Sequence, residues 1–364
     1  MGCSEVAATQ GSGGRGSPTG AKRSRTDRSR RAASARLTHA TEADLCIVRR
    51  RIGSGFVYID RSGRRVRDEK TLARIRSLAI PPAYTEVRIC KLANGHLQAI
   101  GRDARRRKQY RYHPGWRRLR ERGKFARLRE FGRQLPALRR RLRRDLALPG
   151  LPRDRVLAVV VSLLGQTLAR IGNEEYRRQN GSFGLTTLRD RHLTFLRGGC
   201  ARLRFRGKSA KDHDLVVDDA RLMRLLRRCR ELPGQRLFQY RDDEGRLQSV
   251  DSGLVNDYLR DAMGESFTSK DFRTWGASVL ALRAFAATPL PRLRSESELA
   301  RAMAPAVRDV AAVLGNTAAV CRSSYIHPVV FAAWREERLP AVAEFAGWRA
   351  GEKLLLRLLG ARPR

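Results

Sequence analysis

The chain has 364 residues, more than one typical domain, so its length predicts two folded domains with tails. Hydrophobic residues make up 41% of it, which excludes a wholly disordered or collagen-like chain. The longest nearly uninterrupted apolar stretch, Val156 to Leu164, is about half of a bilayer span. With 76 Lys+Arg against 36 Asp+Glu, the net charge of +40 indicates a soluble protein that binds a polyanion, and nucleic acid fits better than a membrane surface.

The N-terminal segment, residues 1 to 40, is rich in Gly, Ser, Thr and Arg and offers little to bury. We interpret it as a disordered basic tail, and a DNA tether and a merely solvated leader stay open as its role. It lacks the apolar region of a signal peptide, so we expect a cytoplasmic protein associated with the nucleoid. Residues 346 to 364 are interpreted as a basic C-terminal extension.

Residues 41 to 118 are predicted to form a small β-rich domain. The run from Phe56 to Ile59 alternates and then meets a turn, and Val87 to Leu92 is followed by Asn94-Gly95 and a second alternating run. Asn-Gly between alternating strands predicts a hairpin with a type I′ turn. Residues 101 to 145 then carry 19 Lys+Arg against four Asp+Glu, with interleaved aromatics, which suits a phosphate backbone; a solvated helix is the alternative.

Residues 119 to 345 are predicted to be mainly helical. A continuous apolar face runs from Leu157 to Ile171, which places Arg170 in the last turn of a helix. A β-hairpin insertion follows, with Lys208 at or near its tip. Ser269 is a plausible N-cap that would put Arg273 in the first turn of the next helix. The predicted fold class is therefore α+β.

Two further helix signals complete this part. Ser295 and Glu298 form a capping box, and the helix that they open is expected to be interrupted at Pro305 and to end at Leu314-Gly315. Thr317 is expected to cap a last helix that carries Tyr325 and stops before Pro328.

Metal and nucleotide sites are not expected. The six cysteines include no CxxC, the histidines show no HxxH or HExxH spacing, and no GxxxxGK[ST] loop occurs. We therefore expect free thiols, no metal, no cofactor and no nucleotide.

A series of motifs follows in a fixed order along the chain: Leu168 to Tyr176, Phe183 to His192, Arg206-Gly207-Lys208, Lys270 to Gly276, Gly315-Asn316-Thr317 and Arg322 to Tyr325. This series closely resembles the type IB DNA topoisomerases, and among them the poxvirus-like and bacterial branch. In the front domain, Ile80 to Tyr84 and Gly101 to His113 look like the DNA-clamp domain of that branch. The resemblance covers roughly residues 45 to 335.

The resemblance implies a catalytic set and a reaction. The family's Arg, Lys, Arg, His and Tyr positions fall on Arg170, Lys208, Arg273, Asn316 and Tyr325. Asn replaces the His of the poxvirus enzymes; it can donate a hydrogen bond but cannot titrate, so it cannot act as a general acid or base. The family's tyrosine attacks a DNA phosphodiester, giving a 3′-phosphotyrosyl enzyme and a free 5′-hydroxyl, and the reverse step reseals the strand without ATP or obligatory metal.

The residue types suit this chemistry, because phosphoryl transfer depends on positioning and on neutralising the non-bridging oxygens. Arg170 and Arg273 can each offer a two-pronged donor, and Lys208 is the better proton donor to the leaving oxygen. The base for Tyr325 stays open. Predicted DNA contacts, for which packing or a solvated charge is the alternative, are Gln109, Tyr110, Tyr112, Tyr176, Lys211 and Lys270.

The expected partner is double-stranded DNA, bound by a monomer. Two other functions remain as alternatives. A tyrosine recombinase shares the nucleophile but typically carries HxxR where this chain has Lys270-x-x-Arg273, and it lacks the front domain. A non-catalytic, basic DNA-binding protein would bind strongly and form no covalent adduct.

Overall fold

The computed structural model describes residues 37–104, 106, 108–116, 123, 125–264, 267–292, 294–341 and 347–361. Most of the predicted basic tail, residues 1–36, and the ends of the predicted C-terminal extension, residues 346 and 362–364, lie outside the described residues. The chain divides into two compact units, with the boundary between residues 119 and 120. The functional domain limits at residues 118 and 345 stay predictions.

The first unit is built on one antiparallel sheet in the order β2-β1-β3-β4-β5. Its elements are β1 Ile47–Ile52, β2 Gly55–Ile59, helix α1 Glu69–Ser77, β3 Thr85–Ile89, β4 Leu97–Arg102 and β5 Lys108–Tyr112. One face packs Ile47, Val87, Ile89 and Ala99 against Ile75 of α1. The loop with the Ile-Pro-Pro-Ala-Tyr sequence is held by the guanidinium of Arg49, which donates to the carbonyl oxygens of Pro81 at 3.1 Å and Tyr84 at 2.6 Å.

The predicted pairing of the strands on either side of Asn94-Gly95 is confirmed, but the type I′ turn is wrong. Strand β3 ends at Ile89 and β4 begins at Leu97, so a longer loop connects them. Neither Asn94 nor Gly95 has a positive φ. A glycine is needed for space instead, since a Cβ on Gly95 would lie 2.8 Å from Sγ of Cys90.

The second unit is mostly helical and carries two small sheets, β6-β7-β8 and β9-β10. The strands are β6 Leu193–Phe195, β7 Ala201–Arg206, β8 Asp212–Val217, β9 Gln239–Arg241 and β10 Leu247–Ser249. The helices are α2 Leu128–Asp145, α3 Arg153–Thr167, α4 Glu174–Asn180, α5 Ala220–Arg230, α6 Ser252–Met263, α7 Ser269–Ala286, α8 Glu296–Leu314, α9 Ala318–Ser324, α10 Pro328–Arg335 and α11 Trp348–Gly360. The predicted α+β class, with a hairpin insertion in a helical domain, is confirmed.

Helices α3 and α7 form the centre of this unit. Along α3, every residue from Val156 to Val161 is buried, and along α7 every residue from Phe272 to Val279 is buried. The sequence predicted one apolar face on α3, but the buried surface is wider than that face, because neighbouring elements cover the helix on all sides. A helix buried on all sides holds its side chains in fixed places, and α7 carries Arg273.

Three predicted helix limits change. Thr268, not Ser269, is the N-cap of α7, because the capping box pairs Thr268 with Asp271. Helix α8 begins after Ser295 as predicted but continues through Pro305, which lies on the exposed face where water can reach the freed carbonyl group. Thr317 caps α9 as predicted, but α9 ends at Ser324 and so does not carry Tyr325. It is also not the last helix, since α10 and α11 follow.

Candidate active site

Arg170 lies in a loop, not in the last turn of a helix as the sequence predicted. Leu168 adopts a left-handed conformation, with φ 54°, and ends α3 two residues earlier. The segment after it runs beside the short 3-10 helix Leu185–Thr187, whose first N–H donates to the carbonyl oxygen of Arg170 at 3.0 Å. These backbone bonds fix Arg170 at the end of the buried helix, with its side chain free to reach other elements.

Arg273 is the most deeply buried cation of the site, with 4% of its surface exposed. It is the fifth residue of α7, one place further from the N-terminus than predicted. Its guanidinium donates from Nη1 to the carbonyl oxygen of Leu168 and from Nη2 to that of Leu314, the latter at 2.8 Å. Burial lowers the pKa of Arg273, and the positive charge of Arg170 lowers it further.

Asn316 follows the left-handed residue Gly315, which ends α8. Nη2 of Arg170 donates to Oδ1 of Asn316 at 2.5 Å. Nζ of Lys211 donates to the backbone carbonyl oxygen of the same asparagine at 2.9 Å. The turn after α8 thus joins Arg170, from the loop after α3, to Lys211, from the hairpin.

Three donor atoms of this cluster are buried and make no hydrogen bond within the described part of the chain. They are Nη1 of Arg170, Nε of Arg273 and Nδ2 of Asn316. Among the same residues, neither arginine forms an ion pair with a carboxylate. Unpaired buried donors and adjacent unneutralised cations are costly, so the cluster is suited to an anion that accepts several hydrogen bonds.

Tyr325 lies beside this cluster. It follows the last residue of α9 and is half-buried, and the guanidinium carbon of Arg273 lies 5.1 Å from the centre of its ring. Interaction with Tyr325 raises the pKa of Arg273, against the larger lowering by burial. The tyrosine ring and the guanidinium therefore face the same space.

The backbone around Tyr325 is tied to α7 by Ser278, which is fully buried. Its hydroxyl accepts a hydrogen bond from the backbone N–H of His327 at 3.0 Å and donates to the carbonyl oxygen of Thr274 at 2.8 Å. Sequence reasoning missed this serine, because a serine inside a helix carries no signal that distinguishes such a contact. Arg273 and the tyrosine turn are thus held by one helix.

Lys208 lies in the turn between β7 and β8, as predicted, and is exposed. Its Nζ lies 5.8 Å from the centre of the ring of Tyr176, on α4. The structure therefore places Lys208 and Tyr176 together, while Arg170, Arg273, Asn316, Tyr325 and Lys211 form the connected cluster. Lys270, a further predicted DNA contact, is exposed in the first turn of α7.

The predicted contacts of the first unit lie on β5, which is an edge strand. Tyr110 and Tyr112 lie two residues apart with ring centres 6.2 Å apart, and Tyr110 is 45% exposed. Nζ of Lys108 lies 5.7 Å from the centre of the Tyr110 ring. Gln109 donates to Asp103 at 3.0 Å. An edge strand with exposed aromatic rings and cations can contact a nucleic-acid backbone.

Within the described residues, no group of three or more His, Cys, Asp or Glu could hold a metal ion. No helix of the same residues has the length and apolarity that a bilayer crossing requires. The cations of the site come from Arg and Lys side chains.

Comparison with known proteins shows which family this chain is similar to. Residues 113–339 match the family described as "Eukaryotic DNA topoisomerase I, catalytic core", and residues 55–103 match "Bacterial DNA topoisomerase IB, N-terminal domain". The chain is 32% identical over 285 residues to the DNA topoisomerase 1B of Acanthamoeba polyphaga mimivirus, an alignment that covers 77% of this chain and 84% of the viral protein.

The fold and the matches define the class: the chain belongs to the type IB DNA topoisomerase family. It is an enzyme of the isomerase class that acts on DNA, with a front domain of the bacterial type.

Proposed function

We propose that this chain relaxes supercoiled DNA by cutting one strand and resealing it, with Tyr325 as the nucleophile. The tyrosine oxygen attacks a phosphodiester, the bond from phosphorus to the 5′-oxygen breaks, and a 3′-phosphotyrosyl link and a free 5′-hydroxyl form. The 5′-hydroxyl then attacks the same phosphorus and releases the tyrosine. Because the phosphotyrosyl bond keeps the energy of the broken phosphodiester, the cycle consumes no ATP.

The observation that supports this proposal is the set of three buried, unpaired donors beside Tyr325. Arg170, Arg273 and Asn316 each hold one donor that no described residue accepts. A phosphate carries several acceptor oxygens and a negative charge, and in the transition state charge is spread over its non-bridging oxygens. Donors already fixed in place stabilise that charge without reorganisation, so we assign the phosphate to this cluster. Side chains supply the positive charge, and we propose that no metal ion is required.

We assign Lys208 as the proton donor to the leaving 5′-oxygen. The two arginines are poor proton donors, because the pKa of a guanidinium exceeds about 12. A positioned general acid contributes about 100- to 10,000-fold to the rate, so Lys208→Ala is expected to slow cleavage by a factor in that range and to weaken DNA binding much less. A substrate with a sulfur in place of the bridging 5′-oxygen should restore the rate, since a thiolate leaves without a proton.

The substrate is double-stranded DNA, and we propose that one copy of the chain suffices, because a single chain supplies every group assigned to the phosphate. Tyr110, Tyr112 and Gln109 on β5, together with Tyr176, Lys211 and Lys270, are the proposed contacts to the duplex. We further propose that the net charge of +40 keeps the enzyme on chromosomal DNA.

The test is the covalent intermediate. Purified protein is mixed with DNA labelled on one strand, denatured, and separated on a gel, and a protein–DNA adduct is expected. Tyr325→Phe should form none, whereas Tyr240→Phe, which changes a tyrosine on β9, should form as much as the wild type. Absence of the adduct from the wild-type protein would refute the proposal and favour a non-catalytic DNA-binding protein.

A plasmid assay distinguishes a topoisomerase from a tyrosine recombinase. Supercoiled circles without any defined recombination site, in buffer with no nucleotide and no divalent metal, should lose their supercoils stepwise. A requirement for a specific paired site, with product circles of new size, would favour a tyrosine recombinase.

A further inference from the structure

His213, on β8, occupies a narrow space between two glycines of the site. A Cβ on Gly207 would lie 2.5 Å from Cδ2 of the imidazole, and a Cβ on Gly315 would lie 2.7 Å from Cε1. The other side of the ring stacks on Phe205, with ring centres 5.0 Å apart. The side chain is 8% exposed. Neither glycine can be replaced without displacing this ring.

The two glycines precede two residues of the proposed active site. Gly207 comes directly before Lys208, and Gly315 comes directly before Asn316. A ring that packs against both glycines therefore sets the spacing between the lysine turn and the asparagine turn. Lys211 supports the same arrangement, since its Nζ donates to the carbonyl oxygen of Asn316 at 2.9 Å.

The lysine turn needs such support because its backbone is strained. Ser209 and Ala210 have φ values of 61° and 59°, in the left-handed region that residues with a Cβ disfavour by about 1–2 kcal/mol each. The N–H of Gly207 donates to the carbonyl oxygen of Lys211 at 2.7 Å and closes the turn. Strained turns persist where surrounding contacts determine their shape. The imidazole of His213 is one such contact, since it packs directly against Gly207.

The surroundings of the His213 ring disfavour its charged form. Burial lowers the pKa of His213, and the charges of Arg170 and Arg273 lower it further. An uncharged ring can lie beside two arginines without repelling them.

We propose that His213 is a positioning residue, which holds the Lys208 turn against the Gly315-Asn316 turn so that the lysine reaches the leaving 5′-oxygen. This inference rests on the proposed function, and it assigns to His213 no contact with the DNA. Loss of the ring should therefore damage proton donation, while the donors assigned to the phosphate keep their places: Arg273 on α7, Arg170 on the loop after α3, and Asn316 through its hydrogen bond with Arg170.

The experiment compares two DNA substrates in single-turnover cleavage by the full chain. One has the ordinary 5′-oxygen at the cleaved bond and the other has a bridging sulfur. With a pKa of about 8.5 a thiol leaves as thiolate, so the sulfur substrate does not need the lysine proton. His213→Ala is expected to slow cleavage of the ordinary substrate about a hundredfold, the cost of a misplaced group, and to cleave the sulfur substrate at close to the wild-type rate.

A second variant moves the ring instead of removing it. Gly207 has φ −94° and ψ −163°, which alanine can adopt, so Gly207→Ala strains only the contact with His213. It should show the same loss on the ordinary substrate and the same recovery on the sulfur substrate. In the double variant that combines His213→Ala with Gly207→Ala, the imidazole is absent and the new methyl group has room. The loss of cleavage rate on the ordinary substrate should therefore not exceed that of His213→Ala alone.

Equal slowing of both substrates, no slowing of either, or additive losses in the double variant would each overturn the inference. If His213→Ala does not fold, as judged by thermal melting, Gly207→Ala alone decides by the same comparison. A wild-type protein that forms no covalent adduct on either substrate would instead refute the proposed function.

Discussion

The side chains of Arg170 and Asn316 are joined by a hydrogen bond of 2.5 Å from Nη2 to Oδ1. A guanidinium has only donors, so the amide must turn its oxygen toward Arg170 and its NH2 group away from it. That NH2 group is buried and unpaired within the described residues. Arg170 therefore orients Asn316 with its NH2 group available as a donor, which supports the role that we propose for this residue.

Asn316→Ala is expected to slow covalent adduct formation about a hundredfold, because one fixed donor to a developing charge is lost. Asn316→Asp keeps an acceptor for Arg170 but places a negative charge at the proposed phosphate site, so it should be slower still. Single-turnover cleavage rates check both variants. An aspartate variant as active as the wild type would contradict the role of Asn316 as a donor.

Ser278→Ala should misplace Tyr325 relative to Arg273, because it leaves the partly buried N–H of His327 without its acceptor. We expect a loss of about 1–3 kcal/mol in the free energy of unfolding and slower cleavage at unchanged DNA affinity. Urea unfolding and adduct formation measure the two effects. Ser323→Ala, on the exposed surface of α9, is the matched control and should change neither.

Glu352→Gln tests how the C-terminal helix α11 is anchored. The carboxylate is 7% exposed and accepts hydrogen bonds from Nε1 of Trp275 at 3.1 Å, from Nε1 of Trp348 at 3.1 Å and from Arg139 at 2.6 Å. Glu352→Gln removes the buried charge that pairs with Arg139, and breaking a buried ion pair is destabilising. Because Arg139 is partly solvated, we expect a loss of about 2–3 kcal/mol in the free energy of unfolding.

The control for this variant is Glu296→Gln, which removes an exposed pair with Arg335 and should cost less than about 1 kcal/mol. Denaturant unfolding of both variants gives the comparison. Equal losses would show that Glu352 does not anchor the helix.

Acid stability should depend on His327. Burial lowers the pKa of this side chain from 6.5 to about 4, and its Nδ1 accepts from the N–H of Val329 at 3.0 Å. Between these two pH values the unfolded chain binds the proton and the folded chain does not. The stabilisation is therefore complete above pH 6.5 and is lost as the pH falls from 6.5 toward about 4.

His327→Asn distinguishes the effect of protonating this residue from its effect as a helix cap. Asparagine also caps a helix N-terminus but does not titrate in this range, so the variant should lose less stability over the same pH interval. Unfolding measured by circular dichroism at several pH values compares the slopes. A variant with the wild-type slope would assign the acid sensitivity to other groups, such as His192, whose pKa burial also lowers to about 4.

Much of the fold could be predicted because the local signals are strong. Alternating strands, the capping box at Ser295 and the cap at Thr317 depend on neighbouring residues, and these predictions are confirmed. The sequence did not predict that α8 continues through Pro305 or that α3 ends before Leu168. Local residue spacing shows neither the exposure of a proline nor a positive φ at a residue other than glycine. The positions of Lys208 and Tyr325 came from motif order, and their roles stay proposals.

By itself the sequence determined the large positive charge, which suits a polyanion, and also the α+β pattern and the family motifs. Each of these is a local or additive property of the chain. Only the tertiary structure decided that Arg170 orients Asn316, that the backbone of Leu168 and Leu314 holds Arg273, and that His213 separates two glycines. Apart from the contact of His213 with Gly207 in the same hairpin, these contacts join residues about 40 to 150 positions apart. Their geometry depends on how buried helices pack, which no local pattern encodes.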